Sequence, residues 1–317
     1  MTVFEDAASI TLSGRNVYLY GIWVASGLLA CGLLLISRAR ASERTKDAAF
    51  LSLVCAPLLG LLGARLLFAV ADSTFREVLS VKNLLDLSTG GFAMYGALLG
   101  ACVGIWLSSR VAGVKARHML DLAAPSLLLF VGFARIGEGY TSIGTGKPVL
   151  SGALRGTVLT VADEYGDYLR TYALEAVVAF VLFVVVLWLC RKPRRTGDLF
   201  LLTALLYGVT QTLMESLRND RHLDFGFVGL QHVLSAMLFG AVLVYAAIRW
   251  LRQGRPRLLA MVTLVSLPVL VGLVIALEFA IDRTDWNKLL CYLMYAVLLA
   301  WPVAAGWRLL KGSGETT

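Results

Sequence analysis

Charged residues are scarce in this sequence. Only 16% of its 317 residues are Asp, Glu, Lys or Arg, whereas 58% are hydrophobic and the mean hydropathy is +0.75. A soluble domain of this size does not need so much apolar surface, so the composition excludes an ordinary soluble protein. Several apolar runs exceed the roughly 18–20 residues that a helix needs to cross a bilayer. These runs predict a protein that crosses the membrane several times.

Other patterns are missing as well. The alternation of apolar and polar residues that is typical of a membrane barrel strand is absent, which leaves a helical bundle. The five cysteines lie inside apolar runs without paired spacing and indicate neither a disulfide framework nor a metal site. We therefore expect no metal and no cofactor. No repeat recurs at a fixed period, which argues against a transporter built from inverted repeats.

Nine segments are long and apolar enough to be membrane spans. The fourth is the shortest and contains Pro125, so we consider a tilted, kinked or partly re-entrant segment there. The predicted spans are 17–37, 48–71, 91–112, 119–134, 172–190, 199–217, 228–250, 258–280 and 289–309. The predicted fold class is therefore an all-α, polytopic transmembrane helical bundle of about nine spans.

Basic residues predict the orientation of the bundle. The loops after the first, third, fifth and seventh spans, together with the C-terminal tail, hold more than half of the 29 Lys and Arg residues. The positive-inside rule then places the N-terminus outside and the C-terminus in the cytoplasm. These membrane anchors account for the net charge of +8, so we expect no nucleic-acid partner. The N-terminal segment lacks the basic region of a signal peptide, so we expect the first span to remain as an anchor.

Two long external loops are expected to hold structure of their own. Residues 72–90 carry apolar side chains, including Val78 and Leu79, at spacings that suit a short amphipathic interfacial helix. The segment from about 136 to 171 suits a small strand pair or a cap over the bundle.

Charged residues at membrane depth are the main candidates for a functional site. A charge there costs roughly 2.5–3.5 kcal/mol or more, so each one needs a partner. Arg135 and Glu138 are three residues apart, as are Glu215 and Arg218, and each pair would lie on one helical face. Each charge alone is equally well explained as part of a structural ion pair, but together they indicate a polar cavity near the outer leaflet. The candidates are Arg65, Asp121, Arg135, Glu138, Glu175, Glu215 and Arg218, of which Asp121 is the one expected away from that leaflet.

The arginines suggest the ligand of this cavity. The rigid, planar fork of a guanidinium suits a phosphate, and phosphate is the head group that a bilayer supplies in abundance. Glycines at 137, 139, 144 and 146 would let the backbone come close and offer N–H groups to the same anion. The sequence therefore predicts a site for a phospholipid head group.

A series of motifs along about 10–250 resembles the prolipoprotein diacylglyceryl transferases, the bacterial membrane enzymes that move diacylglycerol from phosphatidylglycerol to a lipoprotein-precursor cysteine. YGIWVASG (20–27) resembles the opening Tyr-Gly span of that family, and GARLLF (63–68) resembles its second-span arginine motif. DLAAPSLLLFVGFARIGEGYTSIGTGKP (121–148) resembles the signature Gly-Arg-x-Gly-Asn-Phe-x-Asn, and YGVTQTLMESLR (207–218) resembles Tyr-Gly-x-x-Arg-x-x-x-Glu-x-x-Arg. Three further segments also match: GGFAMYGALLG (90–100), LEA (174–176) and LQHVLS (230–235).

The chain departs from the family pattern at several functional positions. Tyr95 stands where the family has a histidine, and Gln211 where it has an arginine. Glu138 and Thr141 replace its signature asparagines, and Ile143 replaces a glutamate. The resemblance gives that histidine and that arginine central roles in moving the thiol proton and stabilising the phosphate. It therefore implies the fold more directly than the reaction. The residue type is kept at Arg65, Asp121, Arg135, Gly137, Gly146, Glu175, Tyr207, Glu215, Arg218 and Gln231.

The remaining residues can be assigned to the transfer chemistry. A thiol that attacks a glycerol carbon needs a base and a stabilised phosphate leaving group. Glu138 is the candidate base, and its alternative role is to neutralise Arg135. Tyr95 is a poor base unless arginines stabilise its anion, and its alternative role is to anchor a helix end at the interface. The candidate catalytic residues are Glu138, Tyr95 and Glu215; the candidate substrate-binding residues are Arg135, Arg65, Arg218, Gly137, Gly146, Tyr20 and Gln211.

The resemblance and the residues together lead to alternative functions. The first is a divergent lipid transferase of the bacterial inner membrane that acts at the outer face on phosphatidylglycerol or a related anionic lipid, with a lipobox-containing prolipoprotein or another molecule as acceptor. The second is a non-catalytic phospholipid-binding or accessory membrane protein on the same fold, and the third is a transporter of lipids or small solutes. We expect residues 1–250 to form the family-like membrane domain and residues 251–317 to add two spans and a cytoplasmic tail.

Overall fold

The structure is a computed structural model of the chain. It describes residues 8–12, 15–77, 80–86, 90–141, 143–149, 155–163, 166–219, 223–225, 228–284 and 286–311. Val78 and Leu79, which belong to the predicted interfacial helix, lie outside the described residues. The chain divides into two compact units, the first formed by Met1–Leu187 and Leu217–Leu230 and the second by Trp188–Ser216 and Gln231–Thr317. The domain boundary at residue 250 stays a prediction of the sequence.

Within the described residues, nine helices are long and apolar enough to cross a membrane. They are α1 (Leu19–Arg38), α2 (Glu43–Ala71), α5 (Met94–Val111), α6 (Ala116–Glu138), α7 (Thr171–Leu189), α8 (Asp198–Ser216), α9 (Leu230–Arg252), α10 (Arg257–Arg283) and α11 (Lys288–Lys311). The predicted all-α polytopic bundle of about nine spans is confirmed. The loop after α2 forms two short helices, α3 (Ser73–Glu77) and α4 (Val81–Leu85), instead of the single helix expected.

The fourth span differs from its prediction in a way that matters for the site. It was expected to end at residue 134, but α6 continues to Glu138 and has 23 residues. Pro125 lies inside this helix. The apolar run stops at Arg135, yet the helix goes on because the charged side chains of its last turn find partners inside the protein. At 1.5 Å per residue α6 is about 34 Å long, so the expectation of a short span is wrong.

Glycines bring α2 and α5 into backbone contact. A Cβ atom on Gly63 would collide with the carbonyl oxygen of Gly96, and one on Gly100 would collide with that of Leu59. A Cβ on Gly104 would lie only 2.6 Å from Ala56 Cα. Lipid tails are as apolar as the helix surfaces, so helices in a membrane gain more from such close approach than from burial of apolar area. These glycines and Ala56 thus allow the backbones of α2 and α5 to pack directly against each other.

The α6 helix packs between α1 and α7. Gly27 of α1 receives the side chain of Phe133, since a Cβ there would lie 2.8 Å from Phe133 Cβ. Gly132 receives the ring of Phe180 from α7 in the same way, at 2.8 Å. The Phe133 and Phe180 rings meet edge to face, with centroids 5.9 Å apart. These contacts place the C-terminal part of α6 against the middle of α1 and of α7.

Three antiparallel hairpins are found among the described residues: one precedes α1, one lies between α6 and α7, and one lies between α8 and α9. They are β1 (Ser9–Leu12) with β2 (Arg15–Tyr18), β3 (Thr160–Asp163) with β4 (Gly166–Leu169), and β5 (Asp224–Phe225) with β6 (Val228–Gly229). The second hairpin is the strand pair that the sequence predicted between residues 136 and 171. In its register Val161 lies opposite Tyr168.

The second unit contains α8 to α11. Asp198, which begins α8, forms an ion pair with Arg249 near the end of α9, at 2.5 Å from Nη1 to Oδ1. The two helices beyond residue 250 belong to this unit: Gly306 of α11 gives room to the side chain of Leu205 of α8. The hydroxyl of Tyr295 on α11 lies 3.1 Å from His232 Nε2 on α9, and both side chains are buried. The α11 helix therefore packs against α8 and α9 within the second unit.

Candidate functional site

The last turn of α6 presents Arg135 and Glu138 to the interior of the first unit. Arg135 Nη1 donates a hydrogen bond to Glu138 Oε1 at 2.5 Å. The two residues are three apart on a helix, and this spacing brings their side chains together. The predicted Arg135–Glu138 pair is therefore present. The Arg135 side chain is only 1% exposed, so its charge depends entirely on protein partners.

A second carboxylate comes from the first turns of α7. Glu175 Oε2 lies 2.6 Å from Arg135 Nε, and the Glu175 side chain is 1% exposed. The start of α7 is held in place by Gly144, whose carbonyl accepts hydrogen bonds from the Thr171 hydroxyl at 2.7 Å and from the Tyr172 N–H at 3.0 Å. Glu175 is therefore placed beside Arg135 by a helix start that the 143–149 segment orders.

A second arginine completes the cluster. Arg218 Nη1 donates to Glu175 Oε1 at 2.9 Å and to Glu138 Oε2 at 3.4 Å. Arg135, Glu138, Glu175 and Arg218 thus form a closed ring in which each carboxylate touches both guanidinium groups. We call this ring the arginine–glutamate quartet. It lies within the first unit, since Arg218 belongs to its Leu217–Leu230 segment.

The quartet has no net formal charge, because two guanidinium groups face two carboxylates. Ion pairs with so little exposure are costly to form and are stable only when every charge has close partners, as here. An added anion such as a phosphate therefore meets two arginines whose charge is already balanced. This balance decides what the site can bind.

Glu138 is the member of the quartet that remains accessible. Its side chain is 14% exposed, against 1–2% for the other three. Its two oxygens point to different guanidinium groups, Oε1 to Arg135 and Oε2 to Arg218. A bridging oxyanion would use the same arrangement, with one oxygen on each arginine. Glu138 therefore lies where a ligand could reach the arginines.

Tyr20 packs against Gly137, which lies between Arg135 and Glu138 in α6. A Cβ on Gly137 would lie 3.1 Å from Tyr20 Cδ2 and 3.2 Å from Trp23 Cβ, so the absence of a side chain lets the first turn of α1 lie directly against α6. The sequence singled out Tyr20 and Gly137 as substrate-binding residues. The structure places both at the turn of α6 that carries Arg135 and Glu138.

Gly146 helps to position Arg218. Its N–H donates to the Leu169 carbonyl at 2.7 Å, and the Lys147 N–H donates to the Leu217 carbonyl at 2.9 Å. A Cβ on Gly146 would lie 2.8 Å from that same Leu217 oxygen. The Gly146 N–H is thus engaged within the protein, so the expectation that it is offered to an anion is wrong. The glycine acts through close packing: it lets the 143–149 segment pair with the residues around Arg218.

Gly144 is the position in this segment that needs glycine for its backbone. Its φ of +94° is in the region that side chains rarely adopt. A Cβ there would also lie 2.8 Å from Tyr172 Cβ and 3.4 Å from Glu138 Oε2. The backbone of Gly144 therefore passes close to the exposed carboxylate of the quartet.

Arg65 has a different environment. Its guanidinium donates to backbone carbonyls of α4 and of the segment that follows it, and it lies over the Phe75 ring, 4.6 Å from the centroid. The side chain is buried at 2% exposure. These contacts hold α4 and the following segment against α2 and engage donors that the sequence had assigned to a phosphate. The carbonyls belong to Asn83, Leu84, Asp86, Gly90 and Gly91.

The other predicted site residues lie on two helices. Tyr95 is the second residue of α5 and is buried. Gln211 and Glu215 lie on α8, in the second unit, with Gln211 buried. The predicted helical face shared by Glu215 and Arg218 is interrupted, since α8 ends at Ser216 and Arg218 lies beyond it. The guanidinium of Arg218 pairs with Glu175 and Glu138.

The role of Glu175 was the feature that sequence reasoning underestimated. The sequence marked it as a charge at membrane depth, but did not include it among the site residues. Its signal was a carboxylate four residues into a strongly apolar helix, where an unpaired charge is costly. Among the described residues, no cluster of three or more His, Cys, Asp or Glu side chains could hold a metal ion.

The fold and this site define a class: a multi-pass helical membrane protein with a buried arginine pair suited to an oxyanion. The family model of prolipoprotein diacylglyceryl transferase matches residues 7–250, so the chain belongs to that family. This confirms the resemblance seen in the sequence. The matched region contains all four members of the quartet.

Relatives with curated names lead to the same family. The chain is 30% identical over 210 residues to the phosphatidylglycerol–prolipoprotein diacylglyceryl transferase of Clostridium tetani, covering 66% of this chain and 84% of the relative. It is 27% identical over 244 residues to phosphatidylglycerol–prolipoprotein diacylglyceryl transferase 2 of Clostridium perfringens, covering 73% and 91%. The corresponding enzyme of Listeria innocua is 26% identical over 239 residues, covering 74% and 86%.

Proposed function

We propose that this protein is a divergent membrane lipid transferase that moves the diacylglyceryl group of phosphatidylglycerol to the cysteine thiol of a prolipoprotein. The relatives carry this activity in their names. The observation that supports it most directly is the buried arginine pair of the quartet, which lies within the part of the chain that the family model matches. A guanidinium pair in a site of low exposure is suited to a phosphate that gains charge during a reaction.

The proposed reaction is a substitution at a glycerol carbon. The thiol sulfur bonds to the terminal glycerol carbon of the diacylglyceryl group, and the bond from that carbon to the phosphate oxygen breaks with its electron pair on the oxygen. The thiol proton passes to a base, and glycerol phosphate leaves. The leaving phosphate gains a negative charge in this step, so groups that stabilise this charge lower the barrier.

Residues of the quartet supply the necessary parts. Arg135 and Arg218 hold the phosphate and stabilise its new charge. Glu138 is the base that receives the thiol proton, since it is the accessible carboxylate beside both arginines. Tyr20 borders the site across Gly137.

The remaining candidates have supporting roles. Gly146 keeps Arg218 in place, and Arg65 holds the loop that leads to α5. Tyr95 stands at the histidine position of the family and is a candidate for proton transfer through its hydroxyl. Gln211 and Glu215 stay candidates on the resemblance alone.

The proposed location is the inner membrane of a bacterium, with the N-terminus outside and the C-terminus in the cytoplasm. The basic loops after the first, third, fifth and seventh spans support this orientation. It places the C-terminal end of α6, and with it the quartet, toward the outer face. The substrates would then be outer-leaflet phosphatidylglycerol and a translocated prolipoprotein.

Turnover is the direct test. Purified protein in nanodiscs is given phosphatidylglycerol labelled in its acyl chains and a peptide that carries a lipobox cysteine. We expect label on the cysteine, and we expect Arg135→Lys to lower the rate at least about a hundredfold, because a single ammonium cannot reproduce the planar fork. Arg76→Lys, an exposed position on α3, is the matched control and should leave the rate unchanged.

The result also separates the transferase from its alternative. If labelled lipid binds in an Arg135-dependent way but the peptide stays unlabelled, the protein is a lipid-binding protein on the same fold. Glu138→Gln then tests the base: a transferase that uses this carboxylate should lose turnover while it still binds lipid. Tyr95→Phe, which removes only the hydroxyl, tests the second proton-transfer candidate.

A further inference from the structure

The starting point is the charge balance of the quartet. Arg135 and Arg218 each contact both Glu138 and Glu175, at distances from 2.5 to 3.4 Å. An anionic head group that approaches this ring finds no net positive charge to bind. The Nη1 atoms of both arginines are taken by carboxylate oxygens, so a phosphate that uses these donors must displace one of the two carboxylates.

Glu138 is the carboxylate that can move. Glu175 is 1% exposed and is held by a 2.6 Å contact to Arg135 and a 2.9 Å bond to Arg218. Glu138 is 14% exposed, it is the last residue of α6, and its contact to Arg218 is the longest of the four at 3.4 Å. A glycine, Gly139, follows it directly. Release of Glu138 therefore requires a side-chain rotation at a helix end, whereas release of Glu175 would break the buried core of the ring.

The geometry of Glu138 also matches the ligand that would replace it. Its two oxygens bridge two arginines, and two non-bridging oxygens of a phosphodiester can bridge the same pair. We propose that Glu138 occupies the phosphate position of the site, and that an anionic lipid binds by displacing this carboxylate from Arg135 and Arg218. Glu138 is thus a built-in competitor that sets the affinity for the lipid.

The displacement has a consequence for the proposed transfer reaction, on which this part of the inference rests. While Glu138 bridges two arginines, both of its oxygens are engaged by guanidinium groups. Once a phosphate takes those arginines, the Glu138 carboxylate is released from them. Its oxygens can then receive the thiol proton, and they can do so only when the lipid is bound. The base is in this way activated by the substrate.

Lipid binding by a charge-neutral variant tests the displacement. Wild-type protein, Glu138→Gln and Glu138→Asp are titrated in neutral detergent with phosphatidylglycerol, and bound lipid is counted by native mass spectrometry. Glu138→Gln removes the competing charge and should bind at least about tenfold more tightly than wild type. Glu138→Asp keeps the charge on a shorter side chain that cannot bridge both arginines, so it should lie between the two. Glu138→Asn removes the same charge with a smaller side chain and serves if the Gln variant fails to fold.

Two controls make the change specific. Glu43→Gln removes one negative charge from an exposed pair with Lys46 and should bind phosphatidylglycerol as wild type does. Diacylglycerol, which has the same acyl chains without a phosphate, should bind all variants equally. Equal tightening for both lipids would overturn the proposal, because it would mean that the variant merely loosened the site.

The outcomes distinguish this inference from the proposed function. If wild type labels the lipobox peptide but Glu138→Gln binds phosphatidylglycerol no more tightly, the displacement is wrong and the transferase stands. If Glu138→Gln binds more tightly and wild type labels nothing, the displacement stands and the transfer function is wrong. If neither protein binds phosphatidylglycerol in a way that Arg135→Lys weakens, both are wrong.

Discussion

Replacement of Glu175 by Ala is the most informative test of the quartet. Glu175 contacts Arg135 at 2.6 Å and Arg218 at 2.9 Å, and it is as buried as Arg135. Its removal leaves both guanidinium groups with Glu138 as their remaining partner within the quartet, so a net positive charge stays in a site with almost no solvent. Breaking a buried ion pair by removing one partner costs about 3–5 kcal/mol. We expect Glu175→Ala to lower the free energy of unfolding by that amount.

The assay compares matched variants. Unfolding in detergent is followed by circular dichroism during denaturant titration, with Glu43→Ala as the control. Glu43 also contacts a cation at 2.6 Å, that of Lys46, but both side chains are largely exposed, so the control should change stability by less than about 1 kcal/mol. Glu175→Gln keeps a hydrogen-bond acceptor without the charge and should fall between the two. If Glu175→Ala unfolds within about 1 kcal/mol of wild type, the quartet does not hold these helix ends together and the electrostatic argument fails.

Two further predictions concern packing. Arg65→Lys replaces a guanidinium that donates to the carbonyls of Asn83, Leu84 and Asp86 by a single ammonium. Limited proteolysis should therefore cut the segment from α4 to α5 faster than in wild type, whereas Arg76→Lys should not change the cleavage. Gly100→Ala would place a Cβ against the Leu59 carbonyl and should lower the yield of folded protein. Gly240→Ala is the control, since a Cβ there meets no atom within 4 Å. Thermal unfolding in detergent should show that this control is neutral or stabilising by up to about 1 kcal/mol.

Exchange of a neutral amide for a carboxylate changes the electrostatics of this site. The family resemblance places an asparagine where this chain has Glu138. With an amide, the arginine pair would face only Glu175 and keep a net positive charge for an anion. With Glu138 the pair is balanced, and the bound state must reorganise before a phosphate fits. One departure of this chain from the family pattern therefore falls where the proposed head-group site lies.

The long apolar runs made the number and type of the spans predictable. Hydropathy alone predicted nine membrane-spanning segments, and nine helices of this kind are present in the described part of the chain. The limit of this approach shows at α6. Hydropathy ends the span before Arg135, but the helix runs on through Glu138 because their charges are paired.

The composition of the site was only partly predictable. Arg135 and Glu138 are three residues apart on one helix, so their pairing follows from local geometry. The same rule cannot be applied to Glu215 and Arg218, because α8 ends between them at Ser216. A spacing rule holds only while the helix that it assumes continues, and the end of a helix depends on what its last turn contacts.

The sequence by itself therefore determines the properties that depend on near neighbours. These are the length of the apolar runs, the glycine spacing on α2 and α5, and the charges that must find partners. The choice of partner arises from residues distant in sequence. Arg218 meets Glu138 across 80 positions and Glu175 across 43, and it does so because the 143–149 segment binds the residues around it. Arg65, an equally buried charge, is satisfied by backbone carbonyls. Burial makes a partner obligatory, but only the packing of the helices and loops determines whether that partner is a carboxylate, a carbonyl or a ligand.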